Sequence, residues 1–439
     1  MPQADACGIR RLRGIPVPAD AATVTMPARP DRSGRIEGMD WQTQADVVPA
    51  SIVPEARAHS LLGRAPATGA WRIGDPVGDR RFAEIGTVRL ESGETLPEVT
   101  IAYETWGELS PARDNAVLVL HALTGDSHVL GSAGPGHPSA GWWEDVVGPG
   151  RAIDTERWFV VAPNVLGGCQ GSTGPASLAP DGVEWGGRFP FLTIRDQVAA
   201  QQALADELGL DRFAAVVGGS MGAMHVLEWA ITAPERVERI AVLAGPPAAT
   251  ADQIALNSVQ LEAIRSDPAF AGGAYYDAAD GEGPSRGLAL ARRMAMLNYR
   301  TATELNDRFA RSWQSGLDPL GGGGRFAVES YLDFHGNKFT RRFDANSYLV
   351  LTEAMNSHDV GRGRGGAAAA LAGIEAKSLV LGIESDRYFP LAGQREIAAQ
   401  LRGSVHGPDP VVLDSEYGHD AFLIESDAVG RAIAALLAA

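Results

Sequence analysis

Cysteine and long apolar runs are nearly absent from this sequence of 439 residues. Only Cys7 and Cys169 are cysteines, so the disulfide framework of a small secreted protein is excluded. No apolar run reaches the roughly 18 residues that predict a membrane-spanning helix. The first 30 residues also hold no continuous apolar segment typical of a secretion signal. These absences indicate a protein of the reduced cytoplasm.

Positive charge is also scarce. The chain has 38 lysine and arginine residues against 54 aspartate and glutamate residues, a net charge of −16 at pH 7. Nucleic acids and membrane surfaces are negative and would repel such a protein, so we expect neither as a partner. The hydrophobic share of 45% is sufficient for a large buried core.

Composition separates residues 1–75 from the rest of the chain. They are rich in alanine, proline, glycine and arginine and show little periodicity. This pattern predicts a disordered extension or a start codon assigned too far upstream, with Met26 and Met39 as alternative starts. We therefore exclude residues 1–75 from the expected fold.

Short apolar runs alternate with helix-like segments along the remaining chain. The runs predict strands at 116–120, 158–162, 214–217, 240–243, 378–381 and 411–413. The helix-like segments lie at 194–208, 221–231, 391–401 and 421–437. Uniformly apolar strands separated by helices indicate an α/β fold, a mostly parallel sheet with helices on both faces. We expect residues 76–247 and 373–439 to form this core, and the helical stretch 248–372 to be an inserted cap.

Ser220 is the strongest candidate for a catalytic residue. In Gly218-Gly-Ser-Met-Gly222 an apolar run ends at two glycines, presents a serine and continues as a helix. This is the pattern of a nucleophile elbow, in which a sharp turn exposes the serine hydroxyl above the sheet. A second match, Gly283-Pro-Ser-Arg-Gly287, follows a polar stretch without a strand, and we expect a surface loop there.

The partners of such a serine follow it in the order acid, then histidine, each after a strand. His419 follows the last predicted strand, whereas His406 precedes it and is expected at the opposite edge of the sheet. Asp386 and Glu384 both follow the strand at 378–381. We prefer Asp386 because the loop turns just after it, but spacing alone leaves Glu384 open.

This set of side chains matches the needs of acyl transfer. A serine hydroxyl becomes a good nucleophile when His419 takes its proton and a carboxylate orients the imidazole. The backbone N–H groups of Met221 and Leu123 are candidates for the oxyanion hole. We expect His121 to shape the loop that carries Leu123 rather than to act as a base.

From about Ile85 to its end the chain resembles the homoserine O-acetyltransferases of the α/β-hydrolase superfamily. The motifs that carry the resemblance are Tyr103-Glu-Thr-Trp-Gly-Glu-Leu109, Leu120-His-Ala-Leu-Thr-Gly-Asp-Ser-His128, Gly141-Trp-Trp143, Asn164-Val-Leu-Gly-Gly-Cys-Gln-Gly-Ser-Thr-Gly-Pro175, Thr193-Ile-Arg-Asp196, Gly218-Gly-Ser-Met-Gly222, Asn356-Ser-His-Asp-Val360, Ser385-Asp-Arg387 and Tyr417-Gly-His-Asp420. The resemblance implies an α/β-hydrolase fold and favours Asp386 as the acid.

The resemblance also implies a reaction and its substrates. Ser220 would take the acetyl group of acetyl-CoA and pass it to the side-chain hydroxyl of L-homoserine, for methionine synthesis. Arg292 would hold the carboxylate of the amino acid, with Arg293 as the adjacent alternative, and Asp420 would hold its ammonium group. The resemblance implies a homodimer, no metal and no resident cofactor.

Three other functions remain open from the sequence. The same fold can transfer succinyl instead of acetyl, or act on serine. Ala223 stands where the family commonly has a second glycine, and Ala244–Thr250 lacks an arginine often found there. Both positions lie near the site, so an acyl group other than acetyl, or an acceptor other than homoserine, stays open. A carboxylester hydrolase would use the same three side chains. A binding protein without activity is disfavoured because no member of the set is missing.

Overall fold

A central sheet of eight strands organises the fold. The structure, a computed structural model, describes residues 63–439. The strands are β1 Arg81–Arg89, β2 Thr95–Trp106, β3 Ala116–Leu120, β4 Val147–Gly148, β5 Ile153–Asp154, β6 Phe159–Pro163, β7 Ala215–Gly219, β8 Arg239–Leu243, β9 Lys377–Ile383 and β10 Val411–Leu413. The sheet order is β1-β2-β6-β3-β7-β8-β9-β10, and β4 pairs only with β5.

The pairing of the strands confirms a mostly parallel sheet. From β6 to β10 each neighbouring pair in the sheet is parallel. Strands β1 and β2 form an antiparallel hairpin, and β2 is antiparallel to β6. The chain goes from β3 to one side at β6 and then to the other at β7, so the carboxyl ends of β3 and β7 flank a crevice of the kind where α/β proteins bind ligands.

Helices follow most of the parallel strands. They are α1 Ile194–Glu207, α2 Met221–Thr232, α3 Ala251–Arg265, α4 Ser285–Tyr299, α5 Ala302–Phe309, α6 Ala327–Phe339, α7 Ala345–Asn356, α8 Ala367–Ala372, α9 Leu391–Gln400, α10 Ala421–Ile424 and α11 Ser426–Ala438. Helix α1 begins where Thr193 and Asp196 cap each other's backbone N–H groups, which satisfies donors that lack a partner within the helix.

Both faces of the sheet are covered, as the apolar strands predict. Leu118 and Val216 lie in one buried cluster with residues of α1, α2, α8 and α9. Val117 and Val217 point to the opposite face and pack with residues of α11. This alternation follows from the two-residue period of a strand. Within the described part of the chain, the helices are too short or too polar for any of them to span a bilayer.

Helices α3 to α7 lie between β8 and β9, in the segment predicted as a cap. The predicted end of the cap at 372 is too late, because α8 packs against α2 and α9 on the sheet. A connection between parallel strands has to return across the sheet face, and α8 completes that return. Ser285 of the second serine motif is the first residue of α4, so the predicted surface loop is wrong at that point.

The predicted boundary at residue 75 is also too late. Thr68 Oγ1 donates a hydrogen bond to Asp344 Oδ1 at 2.7 Å, and the Trp71 amide donates to the Cys169 carbonyl at 2.9 Å. Residues 63–75 therefore belong to the fold. Their apolar content is low, but they are held by hydrogen bonds that periodicity does not indicate. The rest of the predicted extension, with both alternative starts, lies outside the described residues.

Candidate active site

Ser220 occupies the turn between β7 and α2. Its φ of 59° and ψ of −121° place a residue that is not glycine in the left-handed half of backbone space, which costs free energy and is typical of functional sites. The neighbouring glycines allow the turn. A Cβ at Gly222 would lie 2.2 Å from the Leu120 carbonyl oxygen, and one at Gly218 would lie 2.6 Å from the backbone of Gly222. Side chains at either position would clash with backbone.

The structure brings Ser220, His419 and Asp386 together in one hydrogen-bonded line. His419 Nε2 lies 2.8 Å from Ser220 Oγ, and His419 Nδ1 lies 2.6 Å from Asp386 Oδ2. Asp386 Oδ1 accepts two more hydrogen bonds, at 2.8 Å each, from the amides of Tyr388 and Phe389. These bonds orient the carboxylate toward the histidine and leave Nε2 for the serine, the arrangement required of a general base.

The alternatives that spacing left open are separated by the geometry. Asp386 is buried, whereas Glu384 is exposed to solvent. His406 Nε2 accepts a hydrogen bond from the Val380 amide in the middle of β9. Since β7, β9 and β10 are parallel, their carboxyl ends meet at one edge of the sheet, and this edge holds Ser220, Asp386 and His419.

The negative charge of Asp386 raises the pKa of His419. Burial alone lowers the pKa of His419, but the negative charge of Asp386, its hydrogen bond and the charge of Asp420 raise that pKa above its ordinary value. A raised pKa strengthens the imidazole as a proton acceptor and stabilises the imidazolium that forms when Ser220 attacks.

The predicted oxyanion donors are available. Among the described residues, no acceptor takes a hydrogen bond from the amides of Leu123 or Met221. Leu123 lies in a loop after β3 that we name the oxyanion loop (121–125), closed by a 2.9 Å bond from the Gly125 amide to the Ala122 carbonyl. His121 anchors it: Nε2 accepts from the Val165 amide at 3.0 Å, and Nδ1 lies 2.8 Å from the Ala122 carbonyl. His121 shapes the loop, as its position predicts.

A cavity of about 190 Å³ opens in front of Ser220. Both predicted substrate-binding residues, Arg292 and Asp420, lie in its wall. The adjacent Arg293 points away and pairs with Asp333 at 3.0 Å. The cavity wall also contains Ala122, Leu123, Thr124, Gly125, Trp142, Tyr299, Arg342, His419, Phe422 and Leu423. A cation and an anion in one cavity suit a zwitterion, which would otherwise lose its hydration uncompensated.

Sequence reasoning missed three side chains at this site. Tyr299 lies in the cavity wall with its ring 5.5 Å from that of His419, and burial raises its pKa to about 12. Its position seven residues after Arg292, on the same face of α4, was a usable signal. Arg300 Nε lies 3.2 Å from Asp420 Oδ2, and Arg342 lines the cavity from the cap. No sequence pattern marked either arginine.

One cluster away from the cavity has the residue types of a metal site. Asp79, Glu104, His128 and His137 place ligand atoms within 4.8 Å of one another. However, Glu104 already accepts from Ser127 Oγ at 2.8 Å and lies 2.9 Å from His128 Nδ1. The two imidazole rings are stacked, with centroids 3.8 Å apart at 14°. An ion binds in the plane of an imidazole, so parallel rings do not suit one ion. The cluster supports the chain after the oxyanion loop.

Comparison with known proteins gives the family. Residues 115–426 match the family described as "alpha/beta hydrolase fold". The chain is 67% identical over 402 residues to the homoserine O-acetyltransferase of Leifsonia xyli subsp. xyli (strain CTCB07), covering 91% of this chain and 100% of that one. The chain belongs to the homoserine O-acetyltransferase family. The predicted family and fold are confirmed.

Solved structures show that this family shares its fold with esterases. The homoserine O-acetyltransferase of Bacillus anthracis matches with a TM-score of 0.73 at 26% identity, over 82% of this chain and 97% of that one. Esterase E22 matches with a TM-score of 0.72 at 27% identity, over 82% and 99%. Because the two TM-scores differ by only 0.01, the fold of a homoserine O-acetyltransferase does not by itself separate transfer from hydrolysis.

Proposed function

We propose that this protein transfers the acetyl group of acetyl-CoA to the side-chain hydroxyl of L-homoserine by a ping-pong mechanism. The observation that carries the proposal is the hydrogen-bonded line of Ser220, His419 and Asp386, facing a cavity that also presents Arg292 and Asp420. The 67% identity to a homoserine O-acetyltransferase over its full length supports the same substrates.

The first half-reaction acylates the serine. Ser220 Oγ attacks the thioester carbonyl carbon while His419 Nε2 takes the hydroxyl proton. The negative charge on the carbonyl oxygen is stabilised by the amides of Leu123 and Met221, which are in place before the reaction. The C–S bond then breaks, His419 returns the proton to the sulfur, and free CoA leaves an acetyl ester on Ser220.

The second half-reaction uses the same groups in reverse. The carboxylate of homoserine binds Arg292 and its ammonium group binds Asp420, which positions the hydroxyl at the acetyl carbon. His419 takes the hydroxyl proton, the new C–O bond forms, and the bond to Ser220 Oγ breaks as the serine regains a proton. Arg300 Nε lies 3.2 Å from Asp420 Oδ2, so the ammonium group would share this carboxylate with a guanidinium.

The setting of the reaction follows from its substrates. Acetyl-CoA and homoserine are cytoplasmic metabolites, and we propose that the protein acts there, supplying methionine synthesis. Exposed apolar side chains on the neighbouring helices α3 and α4 support the homodimer that the family resemblance implies.

The test is release of CoA thiol from acetyl-CoA and from succinyl-CoA, each with homoserine, with serine and without acceptor. Mass spectrometry identifies the acylated product. The proposal predicts thiol release from acetyl-CoA that depends on homoserine. Preference for succinyl-CoA or serine would keep the mechanism and contradict the proposed substrates. Release that is independent of acceptor would identify a hydrolase.

A further inference from the structure

We propose that Arg342 is a positioning residue for the oxyanion hole, fixing the oxyanion loop through the Thr124 carbonyl and placing positive charge beside the developing oxyanion. This inference rests on the acyl-enzyme mechanism proposed above. Arg342 lies between α6 and α7, and no sequence pattern connects it with Thr124.

Arg342 and Thr124 are 218 positions apart in the sequence, so only the folded structure brings Arg342 to the loop. Arg342 Nη1 donates a hydrogen bond to the Thr124 carbonyl at 2.9 Å. Its own backbone carbonyl accepts from Gln170 Nε2 at 2.7 Å, and its guanidinium lies 5.5 Å from the centre of the Phe339 ring. These contacts hold both the backbone and the guanidinium of Arg342 beside the loop.

The contact at Thr124 acts on the oxyanion hole through one residue. Leu123 directly precedes Thr124, and its amide has to point at the reacting carbonyl oxygen. His121 fixes the start of the loop at Val165, and Arg342 fixes it on the other side of Leu123. A loop anchored on both sides of a donor keeps that donor aimed, which is the condition for oxyanion stabilisation.

The charge of Arg342 adds to this effect. Arg292 and Arg342 line the same cavity of about 190 Å³, and neither forms an ion pair with a carboxylate among the described residues. Burial and the like charge of Arg292, which repels a second cation, lower the pKa of Arg342. Negative charge that enters or develops in the cavity relieves this repulsion. Homoserine brings one such charge and the tetrahedral intermediate brings another.

The test uses p-nitrophenyl acetate, which acylates the serine without CoA or amino acid and so reports on the acylation step apart from the binding of either substrate. We expect Arg342→Gln to slow the burst of p-nitrophenol by at least about tenfold, somewhat less than the loss of a direct donor. Arg342→Lys should be slowed less, because lysine keeps the charge but not the planar geometry. Arg293→Gln, the matched control outside the cavity, should burst as the wild type does.

The burst rates separate the role of Arg342, the contribution of its charge and the mechanism itself. A burst rate in a folded Arg342 variant within about twofold of the wild type overturns this inference, and either variant suffices if the other fails to fold. Equal slowing in the glutamine and lysine variants overturns the contribution of charge. Turnover of p-nitrophenyl acetate by the wild-type protein with no acetyl group on Ser220, measured by intact-protein mass spectrometry after rapid quenching, overturns the acyl-enzyme mechanism itself, and this inference with it.

Discussion

At the scale of single residues, His419 connects the two half-reactions. Its ring is enclosed by the rings of Tyr299, Tyr388, Phe389 and Phe422, with centroids 5.0 to 5.7 Å away. Such a wall excludes water and strengthens the effect of the one carboxylate that contacts the imidazole. Asp386 therefore controls both the orientation and the pKa of His419.

Replacing that carboxylate should change the pH dependence of acylation. Neutral His419 is the reactive form, so the rate falls as the pH drops through its pKa, which Asp386 raises. In Asp386→Asn the fall should move to lower pH, and the plateau rate should drop by about 10³- to 10⁴-fold. Burst rates across a pH series measure both effects. Glu384→Gln in the same loop is the control, and an unmoved acid limb in Asp386→Asn would count against the assignment.

The two adjacent arginines of α4 should behave differently. Arg292 faces the cavity and Arg293 pairs with Asp333. Loss of a charged hydrogen bond costs about 1.5–3 kcal/mol, so Arg292→Gln should raise the KM for homoserine by about tenfold or more and leave the KM for acetyl-CoA nearly unchanged. Steady-state kinetics with Arg293→Gln as the control measure this. The opposite pattern would assign the carboxylate to Arg293.

The three hydrogen-bonded catalytic residues were predictable because each one follows a parallel strand. Ser220, Asp386 and His419 need only the strand order to be placed at one edge. Arg300 and Arg342 were not predictable, because they reach the site from the cap, and the packing of cap helices on the sheet is set by tertiary contacts. Tyr299 was predictable in part. Its spacing from Arg292 indicates that the two residues share a helix face, but it does not indicate what that face contacts.

At the scale of elements, the elbow depends on close approach of two backbones. A methyl group at Gly222 would meet the Leu120 carbonyl at 2.2 Å, and backbone cannot move aside as a side chain can. Gly222→Ala should lower the free energy of unfolding by about 3 kcal/mol. Gly316→Ala, where a Cβ meets nothing within 4 Å, should change it by less than about 0.5 kcal/mol. Denaturant unfolding compares the two, and equal midpoints would contradict the account of the elbow.

The hairpin of β1 and β2 contains a strand that an apolar run in the sequence does not predict. The parallel strands are buried on both faces and read as continuous apolar runs. Strand β1 lies at the edge of the sheet, and only Ala83 and Val88 of its nine residues are buried. Its charged and polar residues face solvent, so it has no continuous apolar run that would predict a strand. Its pairing with β2 supplies the structure instead.

At the scale of the whole molecule, the cap should mediate assembly. Leu290 and Leu297 lie seven residues apart on α4 and are both exposed, which places them on one helix face. We expect a dimer in sedimentation velocity, and a shift toward monomer when both leucines are replaced by aspartate. Val183→Asp, at an exposed apolar position outside the cap, is the control. A double variant that stays dimeric would place the interface elsewhere.

The proposed reaction requires a covalent acetyl ester on Ser220 that homoserine removes. Intact-protein mass spectrometry after mixing with acetyl-CoA alone tests it most directly. We expect one acetyl group on the wild-type protein, none on Ser220→Ala, and loss of the group with formation of O-acetylhomoserine when homoserine is added. An acetyl group that persists in Ser220→Ala, or turnover without any acylated protein, would rule out an acyl-enzyme at Ser220.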